Sequence, residues 1–243
     1  MCTVTFVPQR EGGFILSSNR DEQASRSPQN ITSTTQYGQP MLFPRDTEAG
    51  GTWIAASGQN KVVCLLNGAF KFHQRTPPYR KSRGIMVLEC FEYNSLSDFA
   101  ESYNFDGLEP FTFVLIDRGE LAELRWDGSQ KYYKKLATDH LHIWSSATLY
   151  DANAQKRREE WFEEWKKTQE NYNLSSILDF HKHAGDGDPW NDVIMNRLGM
   201  VQTVSITNVI SNQNGIAMHY HDLVNQAIKK AKINLEGEVV EST

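Results

Sequence analysis

Met1-Cys2-Thr3-Val4-Thr5-Phe6-Val7, a Glu11-Gly12-Gly13 turn, and then Phe14-Ile15-Leu16-Ser17-Ser18-Asn19-Arg20-Asp21-Glu22 form the stretch that decides how this chain is read. Residues 3–7 alternate apolar and polar, and residues 14–18 continue as a second short run after the glycine turn. Two such runs predict a β-hairpin. A hairpin folds the end of its second strand, at Asn19 and Arg20, back beside the start of the first, at Cys2. With Met1 removed, Cys2 carries a thiol and a free α-amine. A thiol of pKa ~8.5 and an amine of pKa ~8 exchange a proton at little cost, and a nucleophile activated by the chain's own amine is an established catalytic arrangement.

Working outward, the composition bounds what this stretch can belong to. The chain has 243 residues, 39% hydrophobic and 23% charged, which is ordinary for a folded globular protein and not for a disordered one. No repeat, heptad or linker divides it, so residues 1–243 read as a single α+β domain. A net charge of -5 excludes a nucleic-acid binder that relies on a basic face. One local run, Lys71, Arg75, Arg80, Lys81 and Arg83, is basic and reads as a solvated loop or an anion-attracting patch. No stretch approaches the ~20 apolar residues of a membrane span, and the N-terminus does not read as a signal peptide. Three cysteines, Cys2, Cys64 and Cys90, with no CxxC pair point to a reducing, cytoplasmic setting without a disulfide framework. Oligomeric state is not written in the sequence.

Residues 19–50 are polar and show no period, which for so long a segment marks a functional or partly ordered loop. Gly50-Gly51-Thr52-Trp53 then opens a second hairpin, whose return strand Val62-Val63-Cys64-Leu65-Leu66-Asn67 is a continuous apolar run of the kind buried on both faces. Helical spacing covers Ser82 to Tyr93 and Ser97 to Tyr103. Residues 112–117, 120–126, 131–136 and 142–146 read as strands. A charged helix from about Ala152 to Glu170 carries an apolar stripe of Trp161, Phe162 and Trp165, and a further helix covers Leu174 to His183. Strands near Val201–Asn208 and Ile216–Tyr220, a short helix over 222–232 and a frayed tail complete the prediction.

With Cys2, Ser18-Asn19-Arg20-Asp21-Glu22 followed by Ser25-Arg26-Ser27-Pro28, and Gly50-Gly51-Thr52-Trp53 in view, the sequence resembles the NRDE family, which includes the transport and Golgi organisation protein 2 homologues. Leu65-Leu66-Asn67 and Tyr79-Arg80-Lys81-Ser82-Arg83-Gly84 fit the same pattern more loosely. That family is in turn similar to the N-terminal-nucleophile (Ntn) hydrolases of the penicillin V acylase and bile salt hydrolase type. The resemblance implies an αββα sandwich of two antiparallel sheets between helical layers. It also implies a reaction: hydrolysis of a non-peptide C–N bond, with Cys2 as nucleophile and Arg20 lowering the thiol pKa. Asp21 would orient the α-amine, and Asn67 would supply an oxyanion donor. Asn19 and Glu22 brace the turn, Glu22 by pairing with Arg20 or Arg26, while Trp53 and Ser146 support the site. At Ser146 the pattern departs, since relatives tend to show Ser-Asn-Ala where this chain has Ser145-Ser146-Ala147. No arginine occurs in Thr203-Val204-Ser205-Ile206-Thr207, where the acylases carry one.

The partner is therefore a small-molecule substrate or ligand, with no cofactor. A second reading keeps the fold without turnover, as a binding or trafficking protein for lipid or haem. A third, metal-dependent hydrolysis at His181 and Asp188, lacks the ligand spacing of the strong zinc motifs, and no metal is expected.

Overall fold

The computed structural model describes residues 3–10 and 12–242. The opening hairpin forms as its alternation predicts: β1 (Thr3–Pro8) and β2 (Phe14–Glu22) pair antiparallel, with Val4 opposite Ser18 and Phe6 opposite Leu16. The next strands are β3 (Ile31–Gln36), β4 (Gln39–Pro44), β5 (Ile54–Ser57) and β6 (Lys61–Asn67). Two short helices, α1 (Arg83–Glu89) and α2 (Leu96–Ser102), precede β7 (Phe111–Asp117), β8 (Glu120–Trp126), β9 (Lys131–Leu136) and β10 (His142–Ser145). The longer helices α3 (Ala152–Thr168) and α4 (Leu174–His183) follow. The chain ends in β11 (Asn196–Arg197), β12 (Val201–Asn212), β13 (Gly215–Asp222), β14 (Ala227–Ile233) and β15 (Val239–Ser242).

These strands make two antiparallel sheets. One has seven strands in strict chain order, β3 to β9; the other has eight, ordered β10-β1-β2-β12-β13-β14-β15 with β11 paired on β12. The sheets stack face to face where β13 and β14 meet β4 and β5, α1 and α2 cover the seven-stranded sheet, and α3 and α4 cover the other. This is the αββα sandwich.

The period of two along β1 and β2 explains the layering. Val4, Phe6, Phe14 and Leu16 point between the sheets and join Met41, Phe43, Ile54 and Val63 in the main core. Val7 and Ile15 point the other way and pack on Phe162, Trp165, Ile177 and Phe180 of the helix layer. Burying each such side chain contributes ~1.5–3 kcal/mol before entropy is counted. β6 is buried on both faces from Lys61 to Leu66, as its apolar run predicts, and Cys64 lies wholly inside it.

Two segments differ from the sequence-based expectation. Within 19–50, β3 and β4 form a hairpin across Tyr37-Gly38, both at positive φ (52° and 72°). Ile31-Thr32-Ser33-Thr34-Thr35 is rich in β-branched residues, but its hydroxyls make it read as loop. Residues 227–233 are a strand and not a helix. Ala231 and Ile233 turn inward while Lys230 stands in solvent and Lys232 is half-buried, which is period two rather than 3.6. The tail adds β15 to that strand.

Candidate active site

The last five residues before Glu22 in β2, Ser17 to Asp21, are all polar and all buried to 3% exposure or less. Buried polar groups are tolerated only when partnered, and the partners of this run define the site. Successive side chains point to opposite faces, so the Asn-Arg-Asp-Glu motif serves two layers at once.

Arg20 faces the inter-sheet side. Its Nη2 donates to Asp46 Oδ2 at 2.5 Å, its Nη1 donates to the Arg26 carbonyl at 2.5 Å, and its guanidinium lies 4.3 Å from the centre of the Trp53 ring. Burial pulls the Arg20 pKa down from its ordinary value, and Asp46 opposes this. Asp46 is the residue that sequence reasoning missed. One carboxylate oxygen accepts from the backbone N–H groups of Glu48 and Ala49, and the other binds both Arg20 and, at 2.6 Å, Arg26. Burial raises the Asp46 pKa, but the Ala49 N–H and the two guanidinium groups outweigh it and hold the carboxyl below its usual range. Glu22 pairs with Arg26 at 2.7 Å, which settles the choice between Arg20 and Arg26. The Ser-Arg-Ser part of the motif is thus the socket for Arg20.

Asn19 and Asp21 face the helix layer. The Asn19 amide donates to the carbonyls of His181 (3.1 Å) and Val193 (2.9 Å), so its oxygen is left toward His181 Nδ1 at 2.5 Å. That orientation puts the imidazole proton on Nδ1 and lets Nε2 accept from the Thr5 hydroxyl at 2.7 Å. Asn19 is therefore a rivet into α4, not a brace of a turn. Asp21 accepts from Tyr150 Oη and Thr203 Oγ1, each at 2.6 Å. A register shift in β12 between Thr203 and Ser205 aims that hydroxyl. Arg158 of α3, fully buried, donates to Thr3 Oγ1 and to the Asp192 carbonyl, and its guanidinium stacks 3.5 Å from the Tyr150 ring centre. It was missed because α3 reads as charged outside its stripe of Trp161, Phe162 and Trp165; its i, i+4 relation to Phe162 was the available signal.

His181 is thus enclosed, and burial, followed by the Arg158 charge, lowers its pKa to about 3. A folded pKa below the unfolded value of ~6.5 means the folded state binds fewer protons between the two, so stability falls as pH drops below ~6.5. The expected loss between pH 7 and pH 5 is about 2 kcal/mol, read from urea midpoints, and His181→Gln should abolish that contribution to the slope.

Asn67 ends β6, and its carbonyl accepts from Ser146 Oγ at 3.0 Å. The two predicted positions are therefore brought together, but the Ser146 hydroxyl is turned onto backbone and onto Thr148 Oγ1 at 3.1 Å. Gly68 follows at φ 79°, where a Cβ would meet the Thr148 methyl at 2.9 Å. Gly51 is just as constrained, since a Cβ there would sit 2.3 Å from the Gly84 carbonyl carbon. The Gly-Gly-Thr-Trp and Ser-Arg-Gly motifs are two sides of one backbone contact, closed by Thr52 N–H donating to the Gly84 carbonyl at 3.0 Å.

An open cleft of about 840 Å³ gathers Arg20, Trp53, Asn67, Arg83, Glu109 and Thr148. Arg83, Arg75 and His73 all converge on Glu109, so Arg75, Lys81 and Arg83 of the basic run line the cleft, while Arg80 is tied to the Asn104 and Asp106 carbonyls outside it. Of the strand 203–207, Ser205 lies opposite Arg20 and Thr207 opposite Ser18.

Cys2 lies outside the described residues. Burial pushes the Cys64 thiol up to about 12 and raises Cys90 well above its ordinary value, so neither is a nucleophile at neutral pH. His183 pairs with Asp179 at the surface and Asp188 caps the turn at Trp190. No group of three or more His, Cys, Asp or Glu among the described residues is placed to hold a metal ion. No helix among them is long and apolar enough to cross a membrane.

The sequence model of the family described as Transport and Golgi organisation 2 matches residues 1–203. No curated protein sequence matches the chain. Among solved structures, an N-acylethanolamine-hydrolyzing acid amidase ortholog from Caenorhabditis elegans is similar with a TM-score of 0.57 at 12% identity, over 86% of this chain and 92% of that one. A cysteine-to-alanine mutant of conjugated bile acid hydrolase from Clostridium perfringens gives 0.62 at 10% identity, over 100% of this chain and 97% of that one. At such identities the likeness establishes the fold, that of the Ntn hydrolases, and the two-sheet topology agrees with it.

Proposed function

The chain belongs to the Transport and Golgi organisation 2 family, and we propose that it is an Ntn-type cysteine hydrolase acting on a non-peptide C–N bond, with Cys2 as nucleophile once Met1 is removed. The observation that carries this reading is the placement of Arg20: a buried guanidinium, fixed by Asp46 and Trp53, in the wall of a cleft that also holds Asn67. Arg20 lies on the inter-sheet face of β2, two residues beyond Ser18, the partner of Val4 near the start of β1.

In this mechanism the Cys2 thiolate attacks the amide carbonyl and the α-amine takes the thiol proton. Arg20 favours the thiolate, and the Asn67 amide donates to the oxyanion. The C–N bond breaks as the α-ammonium returns the proton to the leaving amine, and water then hydrolyses the acyl-enzyme. Asp21, whose carboxylate has lone pairs beyond those given to Tyr150 and Thr203, orients the amine from the helix side.

Intact mass of the purified protein should show Met1 absent. An amide- or lactone-based thiol probe should label one site in the native protein and none in Cys2→Ala, whereas unfolding should expose all three thiols of the wild type. Retained Met1, or equal labelling of Cys2→Ala, would sink the nucleophile.

A second reading, a ligand-binding protein on the same fold, is favoured by the Ser146 hydroxyl, which is turned onto the Asn67 carbonyl and gives the cleft no second side-chain donor there. Ligand retained in a native mass spectrum with no turnover of acyl amides would support it.

A further inference from the structure

The indole of Trp53 carries a buried donor without an acceptor. The residue is 3% exposed and lines the cleft, with the Arg20 guanidinium 4.3 Å from its ring centre and the Tyr220 ring 6.4 Å away. Its Nε1–H meets no acceptor among the described residues. The buried hydroxyls of Ser57 and Thr207 are unpaired as well, but a hydroxyl rotates and can accept as well as donate. An indole N–H only donates, in a direction fixed by its ring, and when buried it ordinarily has a partner. The acceptor that suits Trp53 therefore comes from outside the chain.

Strand pairing sets this donor beside Asn67. Leu65 N–H donates to the Trp53 carbonyl at 2.8 Å, which extends the β5–β6 ladder one step beyond Ile54 opposite Cys64. Trp53 thus stands across from Leu65, and Asn67 is its diagonal neighbour on the same face. Such neighbours lie within reach of an aromatic side chain, and both residues line the cleft. Two other donors near this point are occupied. Both terminal nitrogens of Arg20 donate elsewhere, to Asp46 and to the Arg26 carbonyl. The Ser146 hydroxyl is turned onto the Asn67 carbonyl, so the position where relatives tend to carry an asparagine gives none.

We propose that Trp53 is a catalytic residue, whose Nε1–H and the Asn67 amide together hold the oxygen of the scissile carbonyl. Trp53 then fills the place that Ser146 leaves without a donor. The inference rests on the hydrolase reading above. As the C–S bond forms, the carbonyl π pair moves onto oxygen, and the two N–H groups stabilise that charge. When the pair returns, the C–N bond breaks. The leaving nitrogen takes the proton that the α-amine had removed from the thiol. A guanidinium over the indole face also polarises the ring, and a polarised N–H donates more strongly.

Two probes of the same thiol test this. A β-lactone acylates Cys2 through a tetrahedral oxyanion, the ring C–O bond opening as the alkoxide takes the proton from the α-ammonium. Iodoacetamide alkylates it by displacing iodide, and no oxyanion forms. In Trp53→Phe, which keeps a ring beside Arg20 and removes the N–H, lactone labelling should slow about a hundredfold, the range for one lost oxyanion donor. Iodoacetamide labelling of Cys2 in that variant should hold its wild-type rate. An unchanged lactone rate overturns the proposal. So does an equal slowing of both probes, which would make Trp53 a support for the thiol or the fold. A measurement on the wild type is independent of how the variant folds. With nitrogen-labelled indoles at its six tryptophans, an aldehyde that forms a hemithioacetal at Cys2 should move an indole N–H resonance downfield. No such shift overturns the proposal too. If neither probe labels Cys2 in the wild type, the nucleophile itself fails and the proposal falls with it.

Discussion

Asp46→Ala is expected to cost about 3–5 kcal/mol of stability, because it leaves a buried guanidinium without its carboxylate. The effect is large for three reasons. Both partners are nearly inaccessible, with side chains 4% exposed for Arg20 and 7% for Asp46. The same carboxylate also holds Arg26 and the backbone of the 46–49 turn. For a chain of this size the loss corresponds to a fall in Tm of roughly 10 °C. Asp46→Asn, which keeps an oxygen for the turn, should fall in between. The pH dependence supplies a second reading. A carboxyl held below its usual pKa contributes stability above ~pH 4 that is lost as pH falls through the folded value, so wild type and Asp46→Ala should converge in acid. A difference below ~1 kcal/mol at neutral pH, the range of exposed ion pairs, would show that Arg20 does not depend on this partner.

Asn19→Leu should be similarly damaging although the volumes are close. The amide satisfies two carbonyls and one imidazole N–H in a place without solvent. Each buried group left unpaired costs ~1–3 kcal/mol, so a loss of about 3–6 kcal/mol is expected from urea unfolding. Amide exchange should locate the damage: α4 and the strand end near Val193 should open more readily, while the seven-stranded sheet keeps its protection. Uniform loss of protection would mean that Asn19 acts on the whole fold and not as a local rivet.

These expectations divide the Asn-Arg-Asp-Glu motif in a way the sequence alone does not. The alternation of residues 3–7 and 14–18 and the apolar run of β6 made the hairpin and the buried strand legible, while the two-sheet architecture was legible only through the family resemblance. The hairpin also correctly placed the motif at one end of the first strand. The partners of the motif were not legible, since they lie far along the chain. Asp46 stands 26 residues after Arg20 in a polar segment, Arg158 sits on the charged helix α3, and His181 entered the sequence reading only as a metal-site candidate. Polar residues buried in pairs look the same in sequence as polar residues in water. The strand at 227–233 was missed for a related reason, because lysines spaced along an outer strand resemble the polar face of a helix.

The order of strands in the two sheets also has a consequence in time. Every neighbour in the seven-stranded sheet is the next strand in the chain, so that sheet can zip as it is made. The other sheet pairs β2 with β12, Ser18 against Thr207, and closes only when both ends of the chain exist. At ~5–20 residues per second of synthesis, β2 waits on the order of 10–40 s for its partner strand. During that wait five polar side chains meant for burial stand in water, and Leu16 and Phe14 beside them are exposed to any other strand edge. Newly made chains should therefore be most prone to aggregation and chaperone capture in this interval, and the cleft should be the last part of the molecule to take shape.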